Sequence, residues 1–178
     1  MTELRRKMLA DLQLRGLSLA TQKQYVLCVA SYARSHDCCP AKLGTEHVRG
    51  YLLDLRNRGR KPASLIVYWC ALKFLYATTL GRAEVMADVP RPRKSPRSQV
   101  AAPTREEVRG LLDACPRPYE RTLLLTLYAA GLRVGEALNL QVTDIDAPSE
   151  LLHVCHGKGG KDRSVHLSPK LLLELREH

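Results

Sequence analysis

The chain has 178 residues, 45% of them hydrophobic and 26% charged, which is typical of a globular protein with one large or two small domains. Its apolar runs are short and interrupted, which excludes a membrane span, and no signal peptide is evident, so a cytoplasmic location is expected. The net charge of +10 is uneven: residues 1–100 hold 18 Lys and Arg against 7 Asp and Glu, and residues 101–178 hold 10 against 11. A basic part beside a near-neutral one favours nucleic acid as partner, although a basic balance can also serve solubility alone.

Apolar residues at helical spacing predict four helices in the first part of the chain. The second should follow Ser18 and end before Pro40, the third should begin near Thr45 as its N-cap, and the fourth should begin at Pro62. Residues 1–87 are therefore expected to form one helical domain.

The stretch DVPRPRKSPRSQVAAP, residues 88–103, holds four prolines and predicts an extended interdomain linker. An extended basic segment can follow a phosphate backbone, whereas the alternative is a linker that is merely solvated. The candidate DNA contacts of this segment are Arg91, Arg93, Lys94 and Arg97.

Residues 104–178 predict a mixed α and β domain. Thr104 and Glu107 have capping-box spacing, and the helix expected from Pro118 to Ala130 is apolar around most of its girth, as in a central, buried helix. A short helix should follow in LRVGEALNL, after a glycine that ends the buried helix, and QVTDIDAPSE should form a polar turn region.

The period then changes from helical to alternating. LLHVC and RSVHL flank GKGGK, which predicts a β-hairpin, and Ser168-Pro169 should begin the last helix. Two adjacent cysteines in HDCCP are a poor zinc geometry without a second ligand pair, so no metal site is predicted.

Three side chains in this second part are candidates for chemistry. Arg133 should lie at the mouth of a helix, where a guanidinium can grip two phosphate oxygens, and Glu136 lies three residues on, where it can orient that arginine. Lys158, at the glycine-rich hairpin tip, can neutralise a phosphate or protonate a leaving alkoxide. Taken singly, these features also fit a surface ion pair and an ordinary turn. Lys161 and Arg163 add positive charge beside the hairpin tip and are further candidate DNA contacts.

The order of these parts resembles a known family. AAGLRVGEALNLQVTDID followed by HGKGGKDRSVHLSP is similar to the first half of the catalytic domain of tyrosine recombinases, the phage integrase family, in the style of Xer and integron integrases. The helical part resembles the core-binding domain of that family. The implied fold is mainly α: a four-helix, SAM-like core-binding domain, then part of an α+β catalytic domain with one β-hairpin.

The resemblance implies a role for each candidate residue. Arg133 matches the arginine that binds the scissile phosphate, Glu136 the acidic residue that supports it, and Lys158 the lysine that protonates the leaving 5′ oxygen. Family members cleave DNA through a tyrosine that forms a 3′-phosphotyrosyl bond, and they use no metal and no cofactor. The implied partners are double-stranded DNA and other recombinase protomers.

The remaining family motifs, a His-x-x-Arg pair and the tyrosine nucleophile, are absent after Lys158, and the last tyrosine is Tyr128. The sequence therefore predicts a DNA-binding fragment of a site-specific recombinase that cleaves no DNA by itself. A non-catalytic accessory protein or regulator of a recombinase is the alternative. A general basic helical module is a third reading, and it leaves the pairing of Arg133 with Lys158 unexplained.

Overall fold

The computed structural model describes residues 2–94, 101–155 and 162–177. Its contacts divide the chain into two compact units, residues 1–98 and residues 99–178, and each unit has a hydrophobic core of its own. Arg97, Lys158 and Lys161, which the sequence proposes as site residues, lie outside the described residues.

The N-terminal unit is helical. A single π-helical turn at Leu75–Thr79 continues the fourth helix, and short 3₁₀ turns lie at Pro40–Lys42 and Ala83–Met86. The four helices expected from the apolar spacing are all present, and their bounds are α1 (Glu3–Leu14), α2 (Leu19–Ser35), α3 (Thr45–Asn57) and α4 (Pro62–Phe74).

Side chains near the helix starts fix where two of these helices begin. The Ser18 hydroxyl accepts a hydrogen bond from the Thr21 backbone N–H at 3.3 Å, as expected for the N-cap of α2. The expected N-cap of α3 is wrong by one residue, because Gly44 is the cap and Thr45 is the first helical residue. Here the ring Nδ1 of His47 accepts a hydrogen bond from the Gly44 N–H at 3.2 Å, so a side chain of the first helical turn pairs with the backbone donor of the N-cap residue.

Two buried tyrosine hydroxyls link α2 to the π-helical turn that continues α4. The Tyr76 hydroxyl donates to the Pro40 carbonyl at 3.0 Å and lies 3.2 Å from the Tyr32 hydroxyl, and both rings are fully buried. Since the single Tyr76 proton goes to the carbonyl, Tyr32 is the donor to Tyr76. Burial is the main cause that raises the pKa of Tyr32, and its donated hydrogen bond adds to this.

The C-terminal unit combines helices with a small sheet. In it α6 packs against α5, α7 and α8, and the sheet lies between α7 and α8 in the chain. The bounds are α5 (Arg105–Asp113), α6 (Pro118–Ala130), α7 (Val134–Leu138), β1 (Ile145–Asp146), β2 (Leu151–Val154), β3 (Arg163–His166) and α8 (Pro169–Arg176).

The sheet is antiparallel in the order β1-β2-β3. The expected hairpin is formed by β2 and β3, with Leu152 opposite Val165 and Val154 opposite Arg163. Leu152 and Val154 are buried, as their alternation predicts. The segment expected to be only a polar turn also contributes β1, whose two residues were too few to show an alternating pattern.

The expectation that α6 is a central, buried helix is wrong for the part of the chain that the structure describes, because only one face of α6 is buried. Thr122, Thr126 and Ala130, at four-residue spacing, form the buried face, and the Thr126 hydroxyl donates to the Thr122 carbonyl at 2.7 Å. Leu124 and Tyr128 lie on another face and are 42% and 52% exposed. Its partners α5, α7 and α8 therefore cover only one side of α6.

Replacing Tyr76 with phenylalanine should destabilise the N-terminal unit by about 1–3 kcal/mol, because it leaves the Pro40 carbonyl and the Tyr32 hydroxyl without a partner inside the core. Tyr32→Phe should cost less, since the carbonyl keeps its donor. Urea unfolding of each variant measures the difference. Tyr119→Phe, at a tyrosine that is 64% exposed, is the control, and equal midpoints for it and Tyr76→Phe would contradict the account.

Candidate functional site

The site is built where α6 ends and α7 begins. Gly131 has a φ of 60°, in the left-handed region that favours glycine, and it ends α6. Two residues later Arg133 takes an extended backbone conformation and is the N-cap of α7, which begins at Val134. The break therefore places the Arg133 side chain at the start of a new helix, as the sequence predicts.

Glu136 holds Arg133 at two points. Its Oε2 accepts the Arg133 backbone N–H at 2.8 Å, and its Oε1 accepts a hydrogen bond from Arg133 Nη1 at 2.7 Å. The first contact satisfies a backbone donor that the helix start leaves without an intrahelical partner. The second fixes the direction of the guanidinium.

A second arginine reaches the same carboxylate from the sheet. Arg163, the first residue of β3, donates from Nη1 to Glu136 Oε1 at 2.9 Å and from Nη2 to Oε2 at 2.8 Å. This is the bidentate geometry in which a guanidinium binds a carboxylate most strongly. We refer to Arg133, Glu136 and Arg163 as the Arg–Glu–Arg cluster.

The carboxylate is the enclosed centre of the cluster, because the Glu136 side chain is only 7% exposed. The hydrogen bonds from Arg163, and next the Arg133 N–H, hold the pKa of Glu136 well below its ordinary value. The same bonds raise the pKa of Arg163. Glu136 is therefore ionised at neutral pH, and the cluster carries two positive charges against one negative.

The two arginines differ in how many side-chain donors they give to Glu136 and in how far their side chains are exposed. Arg163 uses two N–H donors on Glu136, and its side chain is 36% exposed. Arg133 gives one side-chain donor to Glu136, and its side chain is 62% exposed, which leaves further N–H donors for a ligand. The arrangement can present an oriented cation to an oxyanion such as a phosphate.

Comparison with known protein families identifies the family of this chain. Residues 4–84 match the model of the phage integrase N-terminal SAM-like domain, and residues 103–178 match that of the phage integrase family. The chain belongs to the tyrosine recombinase, or phage integrase, family.

Two relatives, one named as a putative integrase/recombinase and one as a tyrosine recombinase, support the same assignment. The chain is 41% identical over its whole length to a putative integrase/recombinase, y4qK, of Sinorhizobium fredii, and 36% identical over 94% of its length to the tyrosine recombinase XerA of Thermococcus kodakarensis. It covers 58% of each of those two proteins. The chain thus spans somewhat more than half the length of the relatives that it matches.

A solved structure shows the same fold at low sequence identity. The lambda integrase dimer bound to a COC′ core site superposes with a TM-score of 0.73 at 17% identity, over 98% of this chain and 52% of that one. This confirms the expected fold class, a helical SAM-like domain followed by part of an integrase catalytic domain.

A cavity of about 560 Å³ adjoins the cluster in the C-terminal unit. Its lining includes Glu136, Asp144, His153 and Cys155. His153 Nδ1 lies 2.9 Å from the Ser164 hydroxyl, and the Cys155 thiol lies 3.8 Å from Asp144 Oδ1. Desolvation, and then the Asp144 charge, raise the pKa of this thiol. Over residues 2–94, 101–155 and 162–177, no His, Cys, Asp and Glu side chains group as a metal site would require.

The other proposed site residues fall in different places. Arg91, Arg93 and Lys94 are exposed in the N-terminal unit, whereas Lys158, Lys161 and Arg97 lie outside the described residues. In the same described ranges, no helix has the length and apolar character needed to cross a membrane.

The contact of Arg163 with Glu136 escaped the sequence analysis, which treated Arg163 only as positive charge and a candidate DNA contact beside the hairpin. The two residues lie 27 apart in sequence and belong to different elements, so no local pattern signals their pairing.

The midpoint of the Glu136 titration should rise most in Arg163→Ala and less in Arg133→Ala, because the second variant keeps both the Arg163 hydrogen bonds and the backbone N–H bond. A ¹³C NMR pH titration of the side-chain carboxyl measures it. A lowered pKa means that Glu136 stabilises the fold above its unfolded-state pKa and loses this effect only as the pH falls through the lowered value. Arg117→Ala, which removes an arginine of the same unit, is the control, and a midpoint that moves equally in all three variants would contradict the account.

Proposed function

We propose that the chain is the DNA-binding part of a site-specific recombinase, and that its Arg–Glu–Arg cluster holds a phosphate of the bound duplex. The observation that carries this proposal is the exposed Arg133 guanidinium, fixed by Glu136, in a chain of the tyrosine recombinase family. The cluster orients a cation before the ligand arrives, so less side-chain freedom is lost on binding.

The charge of the N-terminal unit supports DNA as the ligand. Residues 1–100 carry a balance of +11, and binding of cations to DNA releases counterions from its phosphates. Arg91, Arg93 and Lys94 are exposed, as a backbone contact requires. Arg97 and Lys161 remain candidates on sequence grounds alone.

The matching structures support the choice of partners. One is a lambda integrase dimer bound to a core site and another is a lambda integrase tetramer bound to a Holliday junction. By analogy, this chain would bind double-stranded DNA and act beside other recombinase protomers, in the cytoplasm, where the DNA lies. No metal and no nucleotide cofactor enter the proposed chemistry.

In the complete reaction, Arg133 would neutralise charge on the scissile phosphate while a tyrosine hydroxyl attacks the phosphorus. A new phosphotyrosyl bond forms at the 3′ side and the bond to the 5′ oxygen breaks. That leaving oxygen takes a proton, for which Lys158 is the proposed donor. The energy of the phosphodiester bond stays in the covalent intermediate, so no nucleotide is consumed.

Binding of the chain to a labelled duplex should weaken steeply with salt. Each phosphate neutralised contributes a slope of about −0.9 to a plot of log affinity against log salt, so several contacts should give a slope of about −4 or steeper. Fluorescence anisotropy between 50 and 300 mM salt, a range over which the Debye length shortens by a factor of about 2.5, measures it. Absent binding at the lowest salt, or binding that hardly responds to salt, would remove DNA as the partner.

Arg133→Ala should make that slope shallower by about one unit and lower the affinity about five- to tenfold at moderate salt. The matched control is Arg117→Ala. Arg117 is also a helix N-cap, is 76% exposed and pairs with a glutamate three residues on, but no second arginine is paired with that glutamate among the described residues. Equal losses in the two variants would show that Arg133 acts only through its charge and not through the cluster.

A further inference from the structure

We propose that a cavity between α3 and residues 89–93 is a phosphodiester-binding site of the N-terminal unit, and that Trp69 builds it by holding that segment against α4. The inference rests on the proposed function for the identity of the ligand. It assigns the ligand to a specific site and gives a role to Trp69, the one tryptophan of the sequence.

The first residues of the proline-rich stretch are attached to the N-terminal unit. The Trp69 indole Nε1–H donates to the Val89 carbonyl at 3.1 Å, and Val89 is only 4% exposed, within the core of this unit. The Arg91 guanidinium lies 5.9 Å from the centre of the indole ring, and Lys73 Nζ lies 5.0 Å from it. These are distances at which a cation is attracted to an aromatic face.

This attachment closes one side of a cavity of about 580 Å³. The opposite side is the second half of α3 with the loop that follows it, and Leu52, Leu65 and Val89 contribute to an apolar lining. Five arginines are among the residues that line the cavity, and no acidic residue lines it. The five are Arg49, Arg56, Arg60, Arg91 and Arg93.

The five arginines share one electrostatic feature. Throughout the part of the chain that the structure describes, none of them forms an ion pair with a carboxylate, whereas Arg58, beside them in sequence, pairs with Asp54 at 2.9 Å. Like charges gathered at one cavity repel one another, and an anion bound there relieves the repulsion. Guanidiniums match the geometry of phosphate oxygens bidentately. The cavity is therefore complementary to a phosphate-bearing ligand.

The apolar lining favours an anion that carries apolar groups over a free phosphate. Leu53, also in the lining, is 57% exposed and offers apolar contact beside the arginines. A free phosphate gains nothing from such a surface, whereas the sugar and base attached to a phosphodiester can contact it. The ligand that fits both features is a nucleic-acid strand, which agrees with the proposed partner.

Trp69 is a positioning residue in this arrangement, because it acts on the ligand through Arg91 and the neighbouring backbone. Trp69→Phe keeps an aromatic ring and loses the N–H that binds the Val89 carbonyl. Without that bond, Arg91 and Arg93 are no longer held at the cavity. The substitution should therefore weaken DNA binding although Trp69 itself does not line the cavity.

The test uses the whole chain and a labelled duplex, with affinity measured as a function of salt. Arg56→Gln and Arg60→Gln should each make the slope of log affinity against log salt shallower by about one unit and lower the affinity about five- to tenfold. Arg58→Gln, which removes an equal charge from the same helix end but outside the cavity lining, is the matched control and should change the affinity less than twofold. Urea unfolding confirms that each variant is folded.

A double-variant comparison tests Trp69. If Trp69 acts through Arg91, Trp69→Phe with Arg91→Gln should bind no more weakly than the weaker of the two single variants, whereas a general loss of stability would add to the loss of charge. Titration of the wild-type chain with a short oligonucleotide should also change the Trp69 fluorescence. Inorganic phosphate, added to the same total negative charge as the oligonucleotide, should change the Trp69 fluorescence much less.

Two results would overturn the inference while leaving DNA binding intact: equal effects of Arg58→Gln and Arg56→Gln, or additive effects of Trp69→Phe and Arg91→Gln. Tighter binding of a glutamate-rich peptide than of the oligonucleotide would also overturn it, since the cavity would then fit an acidic protein segment. Failure of the proposed function looks different, because the wild-type chain would not bind duplex DNA at low salt at all.

Discussion

The C-terminal unit depends on one enclosed carboxylate. Glu136 is 7% exposed, and it accepts hydrogen bonds from the Arg133 backbone, the Arg133 side chain and the Arg163 side chain. These bonds connect the start of α7 to the start of β3. Removing one partner of such a cluster leaves an uncompensated charge, which costs more than the pair itself contributes. The position of Arg133 is therefore set by the fold, through β3, and not by its own helix alone.

Arginine serves different purposes in the two units. In the C-terminal unit Arg117, Arg121, Arg133 and Arg163 all pair with glutamates, and residues 101–178 contain 10 basic against 11 acidic residues. In the N-terminal unit the arginines around the cavity at residues 89–93 have no carboxylate partner among the described residues. Unpaired cations attract an anion over a long distance, and salt screens this attraction. A cation paired with a carboxylate is held in one orientation and acts on a ligand at short range.

Local patterns in the sequence predict most of the fold. The four helices of the first unit, the bounds of α6, the capping box at Thr104 and the β2–β3 hairpin all follow from periodicity and cap chemistry within a few residues. The exposed side of α6 was missed, because periodicity shows which residues are apolar but not how many neighbours cover them. The contact of Arg163 with Glu136 was missed because it joins residues 27 apart in sequence, and no local pattern encodes such a pairing.

The two kinds of arginine are complementary in a protein that must first find a polyanion and then act on one of its phosphates. Long-range attraction by many exposed cations needs no fixed geometry. Contact with a single phosphate at the reacting position does need fixed geometry, because loss of orientation there slows a reaction steeply. Glu136 orients the Arg133 side chain when the protein folds, so the conformational entropy of that side chain is lost before DNA binds. A lysine at the same position, with a single mobile ammonium, could not be held by the same carboxylate and still present a planar face to the phosphate.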